Sequence, residues 1–378
     1  MKADDSSPRI RRRLYRSFSL RAMLLLTALV AVLLAFVVLP REHRRRAMQS
    51  LRDRGVEVEL TQDPTDLMLA AVQGQDDWKE PSWTTVLLHR NLPHAYLRSV
   101  SGVSFRKSHK PTRDEFQLIG RLGPCGNLFF EVPIEHPEHL QPLIASDSVN
   151  DYLYFGSHSV NPESLRQLTQ LSQVRRIFFK DAVVTPEGLS YLIAMENLRT
   201  VDLTNTGCGD EVLIPVARMQ QLERLALNDR SFTSVGFEQL ASLTQLRRLE
   251  VHHLDQAGTV GLCKALAAMR NLAELSLYEA SGNIDFSVVA ELPKLERLTC
   301  YGSTTDESLD TLSRSKSLRI VDFSNGNNAI TEAGLKHLLI IPSLEEITHY
   351  RIRLTKEAVQ RLKTARPDVK FHLGDPIE

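Results

Sequence analysis

Four consecutive residues, His136-Pro137-Glu138-His139, carry side chains that could bind a metal ion. Imidazole and carboxylate groups are common zinc ligands, and the HExxH motif of metalloproteases places two such histidines on one helix face. The spacing here differs from HExxH, and Pro137 falls where a helical histidine pair would need regular backbone. The sequence therefore does not predict a metal site at this position.

The other residues that could do chemistry are scattered along the chain. The cysteines lie far apart, without a CxxC pair, so we expect free buried thiols rather than a zinc site or a disulfide framework. They are Cys125, Cys208, Cys263 and Cys300. The pair His252-His253 would point to opposite faces of a strand. Since the sequence also contains no glycine-rich phosphate loop, nucleophile elbow or paired-carboxylate motif, we predict no enzyme activity and no cofactor.

A repeat of the form L-x-x-L-x-L is the element that must position any functional side chain. Its clear copies start at Leu198, Leu222, Leu246, Leu272, Leu295, Leu318 and Leu344. Looser copies start upstream at Val100, Cys125, Asn150 and Val174, and a weak last strand is expected at Val369-Lys370-Phe371. The clear copies are 23 to 26 residues apart, and a regular period of this length is typical of a solenoid of stacked units.

The second half of each unit has the signals of a short helix. Thr185, Asn161 and Thr331 are good N-cap residues, and Pro186 and Pro162 suit the first helical position. Leucines at i and i+3 follow in each case. Each unit is therefore predicted to fold as strand, turn and helix.

One strand and one short helix cannot bury their own apolar face, so the units must stack. The predicted fold is an α/β right-handed solenoid, with a parallel sheet on the concave side and short helices on the convex side. The strands would lie about 4.8 Å apart, with positions one, four and six of each copy in the core.

Positions three, five and seven would then project from the concave face of the sheet. Tyrosine, arginine and clustered apolar residues are enriched at interfaces, so these positions are candidate partner-binding residues. They are Phe129, Tyr154, Phe178, Arg176, Arg224, Arg248, His252, Tyr278, Arg297, Tyr301 and Tyr350. Three alternatives stay open: the register of the early copies is shifted by one, capping residues cover the rings, or nearby acidic residues simply pair with the arginines.

The N-terminal region differs in composition from the repeats. The 18 residues of Ala22–Leu39 are uncharged and would span roughly 27 Å as a helix, close to the thickness of a bilayer core. Because bulky residues and then arginines follow, we favour an uncleaved signal anchor over a cleaved signal peptide. Both flanks are basic, and we expect a short cytoplasmic tail and an exported C-terminal domain. The predicted localisation is therefore a single-pass membrane protein.

Charge is also distributed unevenly. Residues 1–54 contain 13 of the 46 Lys and Arg residues but 4 of the 46 Asp and Glu residues, so the remainder is acidic, and we expect no nucleic-acid partner. The predicted divisions are a basic tail (1–21), a transmembrane anchor (22–40), a juxtamembrane helix and N-terminal cap containing Trp78 and Trp83 (41–97), the repeat domain (98–373) and a C-terminal tail (374–378).

The strand and helix pattern over Leu198–Asn271 and Leu318–Ser343 resembles leucine-rich-repeat proteins of the short-helix, ribonuclease-inhibitor-like and GALA-like groups. With its basic tail and signal anchor, the chain is similar to the single-pass repeat proteins of planctomycete-type bacteria. The ninth position of the consensus, often Asn, is Thr206, Arg230 or Leu254 here. We therefore expect no asparagine ladder, and expect Thr, Ser and backbone groups to satisfy the turns.

The resemblance implies a non-catalytic binding role. The favoured function is a membrane-anchored protein that binds an unknown protein or cell-envelope polymer through the concave sheet. The alternative is a substrate-recognition subunit that resembles F-box ubiquitin adaptors, although it would need a helical adaptor-binding module of roughly 40–50 residues that the polar segment 61–97 is too short to supply.

Overall fold

The computed structural model describes residues 27–28, 31, 39–60, 100–106, 109–324 and 329–375. Most of the predicted membrane anchor, and all of the predicted cap between residues 61 and 97, lie outside these residues. Within the described part of the chain, no helix combines the length and the apolar character that crossing a bilayer requires.

Thirteen strands form a single sheet whose spatial order is the order of the sequence. The strands β2 to β13 pair in parallel, and β1 pairs antiparallel with β2. Their bounds are β1 Glu57–Leu60, β2 Val100–Phe105, β3 Cys125–Phe130, β4 Val149–Gly156, β5 Arg176–Lys180, β6 Thr200–Thr204, β7 Arg224–Asn228, β8 Arg248–His252, β9 Glu274–Ala280, β10 Arg297–Gly302, β11 Ile320–Asp322, β12 Glu346–His349 and β13 Lys370–Leu373. The predicted parallel stacking is confirmed, including the four loose early copies.

The repeat leucines stack as continuous rows in the core. Leu225, Leu249, Leu275 and Leu298, which all occupy position four, pair in register across β7 to β10, and all are at most 1% exposed. Each repeat thus buries its neighbour's apolar face, and the buried residues form one cluster from Ala47 to Val369. The fold is therefore an α/β repeat solenoid of the leucine-rich-repeat type.

Short helices return the chain from one strand to the next. The α-helices are α1 Leu39–Asp53, α2 Arg113–Arg121, α3 Gln141–Ser146, α4 Pro162–Leu168, α5 Pro186–Tyr191, α6 Leu213–Ala217, α7 Ser234–Gln239, α8 Gln256–Leu266, α9 Phe286–Ala290, α10 Asp306–Leu312, α11 Glu332–Leu338 and α12 Lys356–Ala365. Short 3₁₀ helices cover Pro137–Leu140, Leu192–Ala194, Asp210–Val212 and Leu240–Ser242.

The predicted N-caps of these helices are confirmed. Side-chain oxygens of Asn161, Thr185 and Thr331 accept hydrogen bonds from backbone N–H groups at the starts of α4, α5 and α11, at 2.9, 3.1 and 3.1 Å. Thr331 also donates its hydroxyl hydrogen to Asp306 of the preceding repeat, 2.6 Å away. This threonine therefore stabilises its own helix and ties it to the neighbouring one.

A ladder of left-handed residues follows the strands. Ser157, Asp181, Asn205 and His253 have φ between 53° and 56°. The backbone N–H of each donates to a carbonyl oxygen of the next repeat, at 2.8 to 3.0 Å. These bonds satisfy the turns through the backbone, whereas the buried hydroxyl of Thr206 makes no hydrogen bond within the described residues. The expectation that a threonine side chain satisfies the turn is wrong at this position.

The N-terminal edge of the sheet is closed by the segment just after the predicted anchor. Helix α1 packs against α2, with Ala47, Met48 and Leu51 buried. The chain then turns at Gly55, where φ is 81°, into the antiparallel strand β1. An unpaired first strand would expose backbone groups, so this reversal protects β2.

Candidate binding face

The sheet face opposite the helices, called the open face below, carries positions three, five and seven of the repeat. Phe129, Tyr154 and Phe178 pair in register as one row across β3 to β5. Each ring is half-buried, whereas the neighbouring Leu128 and Phe130 are fully buried. The early repeats are therefore in the predicted register, and the alternative of a one-residue shift is wrong.

A fourth ring, which the sequence interpretation missed, connects Phe129 and Phe178 at the two ends of this row. Tyr152 lies on β4, at position three of the repeat copy that starts at Asn150. Its ring centroid is 5.4 Å from that of Phe129 and 5.3 Å from that of Phe178, and both contacts are edge-on. Phe129 and Tyr154 are 5.7 Å apart. Since Tyr152 and Tyr154 alternate across Leu153, the period of two could have found this residue. Phe129, Tyr152, Tyr154 and Phe178 are called the aromatic patch below.

Arg176 extends the aromatic patch with a positive charge. Its guanidinium carbon lies 5.2 Å from the Tyr152 ring centroid, and its Nε donates a hydrogen bond to Asp151 over 3.0 Å. The expected pairing of arginines with acidic residues is thus present here, and again where Arg248 lies 2.9 Å from Glu274. A guanidinium held over a ring and fixed by a carboxylate is pre-ordered for contact with a ligand.

Two of the four predicted arginines remain unpaired in the described part of the chain. Arg224 and Arg297 are exposed, and neither forms an ion pair there. Arg224 lines a groove of about 260 Å³ next to the aromatic patch, together with Phe178, Asp202 and Glu250. Burial is the main cause that raises the pKa of Asp202, and the charge of Glu250 adds to it. The groove therefore contains the guanidinium of Arg224, which has no ion-pair partner in the described residues. It also contains the carboxyl groups of Asp202 and Glu250, of which Asp202 has the raised pKa.

A second group of rings lies farther along the open face. His252 stacks on Tyr278 at 4.4 Å, and Tyr278 meets Tyr301 edge-on at 5.1 Å. The Tyr301 hydroxyl donates to Asp322 over 3.0 Å, and burial together with this bond raises the pKa of Tyr301 to about 12. His252, Tyr278 and Tyr301 are called the ring stack below.

The predicted residues thus form two groups rather than one surface. Asp202, Ala226 and Glu250 continue the row of Phe178 across β6 to β8 without rings, and the ring stack lies in the neighbouring row of position seven. Tyr350 is 61% exposed but lies beyond the end of β12, and no ring contact joins it to the ring stack in the described residues. Tyr350 therefore stays a candidate partner-binding residue that stands apart from both groups.

All four cysteines are free thiols. Burial raises the pKa of Cys125 to about 11 and that of Cys300 to about 12. Because the thiolate is the nucleophile, such thiols are unreactive near neutral pH. Cys125, Cys208 and Cys300 are buried core residues as expected, whereas Cys263 is only partly buried.

The chain matches no protein-family model and no curated protein. Among solved structures, it is similar to internalin inlF from Listeria monocytogenes, with 14% identity over 77% of this chain and 88% of that one and a TM-score of 0.46. It is also similar to internalin C2 of the same bacterium, with 18% identity over 63% of this chain and 84% of that one and a TM-score of 0.37. A third similar structure is the complex of TLR13 with ssRNA13, with 14% identity over 74% of this chain and 40% of that one and a TM-score of 0.47. At these scores the assignment of the fold rests on the repeat geometry itself.

Proposed function

We propose that this chain is a membrane-anchored, non-catalytic protein that binds a protein or a cell-envelope polymer through the open face of its sheet. The aromatic patch is the observation that carries the proposal. Four partly buried rings, linked by contacts of Phe129 with Tyr152 and Tyr154 and of Tyr152 with Phe178, form an apolar surface on strands that pack on the core. Exposed apolar clusters of this kind mark interaction sites.

The charges around the aromatic patch fit a binding face. Arg176 lies over Tyr152, and Arg224 lines the groove without an ion-pair partner among the described residues. Arginine and tyrosine supply much of the energy of protein interfaces because each combines apolar area with directed polar groups. A ligand that offers an apolar group to the rings and a carboxylate to Arg224 would complement both.

The membrane anchor is part of the proposal and rests on the sequence. The apolar run Ala22–Leu39 is long enough to span a bilayer, and α1 begins at its last residue. We expect the repeat domain to lie outside the cytoplasm. Proteinase added to intact cells should then digest the repeat domain, while protection of the domain until the cells are lysed would contradict this orientation.

A photocrosslinking residue placed at Phe178 tests the binding face in cells that express the full chain. We expect a discrete crosslinked product that is lost when Phe129 and Tyr154 are both changed to alanine. The matched control places the same crosslinker at Ile340, which is 67% exposed on the helical side of the repeats. Equal products from both positions, or a product that survives the double change, would contradict the proposal.

A separate prediction is that the chain binds no nucleic acid, and it rests on the net acidic charge of the residues after position 54. We expect no shift of single-stranded RNA in a gel-shift assay at physiological salt. No observation in the described residues favours the F-box-like alternative.

A further inference from the structure

The segment between β3 and α3 brings three potential metal ligands together on the surface. Ligand atoms of His136, Glu138 and His139 all lie within 4.8 Å of one another. The two imidazole rings are 4.9 Å apart between centroids, and Nδ1 of His136 is 3.1 Å from Oε1 of Glu138. This grouping differs from the expectation from sequence, which excluded a site because of Pro137.

The cause is the 3₁₀ helix Pro137–Leu140. Side chains at i and i+3 eclipse one another in a 3₁₀ helix, so His136 at the N-cap and His139 fall on the same side. Pro137 occupies the first helical position, where its missing N–H has no intrahelical partner to lose. The proline therefore supports the pairing that it was expected to prevent.

The backbone on both sides of the three ligands is fixed by the core. Leu140 is fully buried, and Ile134 is nearly so. Ser164 of the following repeat donates a hydrogen bond to the Ile134 carbonyl oxygen over 3.4 Å. The three side chains thus extend from a short segment with little backbone freedom, which lowers the entropy lost when they converge on one ion.

The contacts of the ligand atoms also suit a cation. Glu138 supplies a carboxylate, and Oε1 of this group already lies beside a ring nitrogen of His136. Nδ1 of His139 is shielded from solvent and has no hydrogen-bond partner within the described residues. A shielded ring nitrogen normally has a hydrogen-bond partner, so in the tautomer with hydrogen on Nε2 the lone pair of Nδ1 is available to an ion.

We propose that His136, Glu138 and His139 form a binding site for a divalent transition-metal ion such as Zn²⁺ or Cu²⁺. Two imidazoles and one carboxylate are the ligand types these ions prefer, and they leave coordination positions open for water or a ligand. Tetrahedral zinc needs ligand atoms roughly 3.4 Å apart. The side chains of His136 and Glu138 are 59% and 67% exposed, so small rotations can close the remaining distance.

Calorimetric titration of Zn²⁺ into the full chain, purified without a polyhistidine tag and stripped with EDTA, tests the site. We expect one ion per chain with a dissociation constant on the order of 1–100 µM, weaker than closed four-ligand sites because only three exposed residues contribute. His136→Ala and His139→Ala should each weaken binding by at least about tenfold, and Glu138→Gln by less. All three side chains lie at the surface or are only partly buried, so the circular dichroism spectrum of each variant should be unchanged.

A matched control is His337→Ala on α11. His337 is also part of an exposed histidine–carboxylate pair, with Nδ1 3.0 Å from Asp310, but it lacks a third ligand. Zn²⁺ affinity should be unchanged in this variant. Electron paramagnetic resonance of bound Cu²⁺ should show coupling to two imidazole nitrogens in the wild type and to one in His136→Ala.

Two results would overturn the proposal. One is the absence of a binding isotherm with Zn²⁺ at millimolar concentration. The other is wild-type affinity in the double variant His136→Ala/His139→Ala, which would place any bound zinc elsewhere on the chain.

Discussion

His349→Leu should stabilise this protein, because a histidine occupies a place in the core that the other repeats fill with apolar residues. The row contains Leu277, Cys300 and Leu373, and His349 pairs directly with Leu373. Its side chain is 2% exposed, and neither ring nitrogen has a hydrogen-bond partner in the described part of the chain. A buried polar group without a partner costs about 1–3 kcal/mol, and leucine is close to histidine in size. We expect the variant to gain about 1–2 kcal/mol in the free energy of unfolding at pH 7.5.

The gain should grow as the pH falls. Burial lowers the pKa of His349 below its ordinary value of 6.5, so the folded chain disfavours the protonated ring. The unfolded chain then binds more protons below pH 6.5, and the wild type loses stability as the pH falls toward the depressed pKa. The slope cannot exceed about 1.4 kcal/mol per pH unit. At pH 5.5 the advantage of the variant should therefore be larger than at pH 7.5, by at most about 1.4 kcal/mol.

Urea denaturation followed by circular dichroism at both pH values measures these differences. The control is His372→Leu, which replaces an exposed histidine on β13 that lies 3.6 Å from Glu346. It should change stability by less than about 0.5 kcal/mol. A variant His349→Leu that is less stable than the wild type, or that keeps the same pH dependence, would refute the reasoning.

Three further changes test the turns, the caps and the ring stack. Asn205→Val should cost about 1–2 kcal/mol in unfolding free energy because a β-branched residue resists φ of 54°, whereas Asn205→Gly should cost under 0.5 kcal/mol; equal losses would contradict this. Thr331→Ala should cost about 1–2 kcal/mol in urea denaturation through the lost cap and the lost bond to Asp306, and Thr331→Ser should restore most of it. Spectrophotometric titration of the wild type should show one tyrosine ionising near pH 12 that is absent in Tyr301→Phe and shifts downward in Asp322→Asn.

The sequence predicts the repeat fold well because the core leucines recur with a period that only stacking satisfies. Even the loose copies at Cys125 and Asn150 form strands, because their positions four and six are still large apolar residues such as Leu128 and Phe130. A closing strand was expected at Val369-Lys370-Phe371 for the same reason, and the structure has it at Lys370–Leu373. Burial periodicity thus specifies which residues face the core.

Features that depend on contacts between repeats could not be predicted from the periodicity of the core residues. The antiparallel direction of β1 depends on how the chain re-enters the sheet, which the alternation of Val56 and Val58 does not specify. The proximity of His136 and His139 depends on a 3₁₀ rather than an α-helical turn. On the open face, the ring contacts of Tyr152 follow from strand register, which links residues about two dozen positions apart.

The left-handed ladder bears on how such an array can change in length over evolution. Ser157, Asp181, Asn205 and His253 each offer the same donor to whatever repeat comes next, through backbone atoms that every residue type except proline provides. Removing or duplicating a unit that lies between two of these four joints would therefore leave an equivalent joint behind. Selection could lengthen or shorten the open face in steps of one strand without redesigning the turns that hold it together.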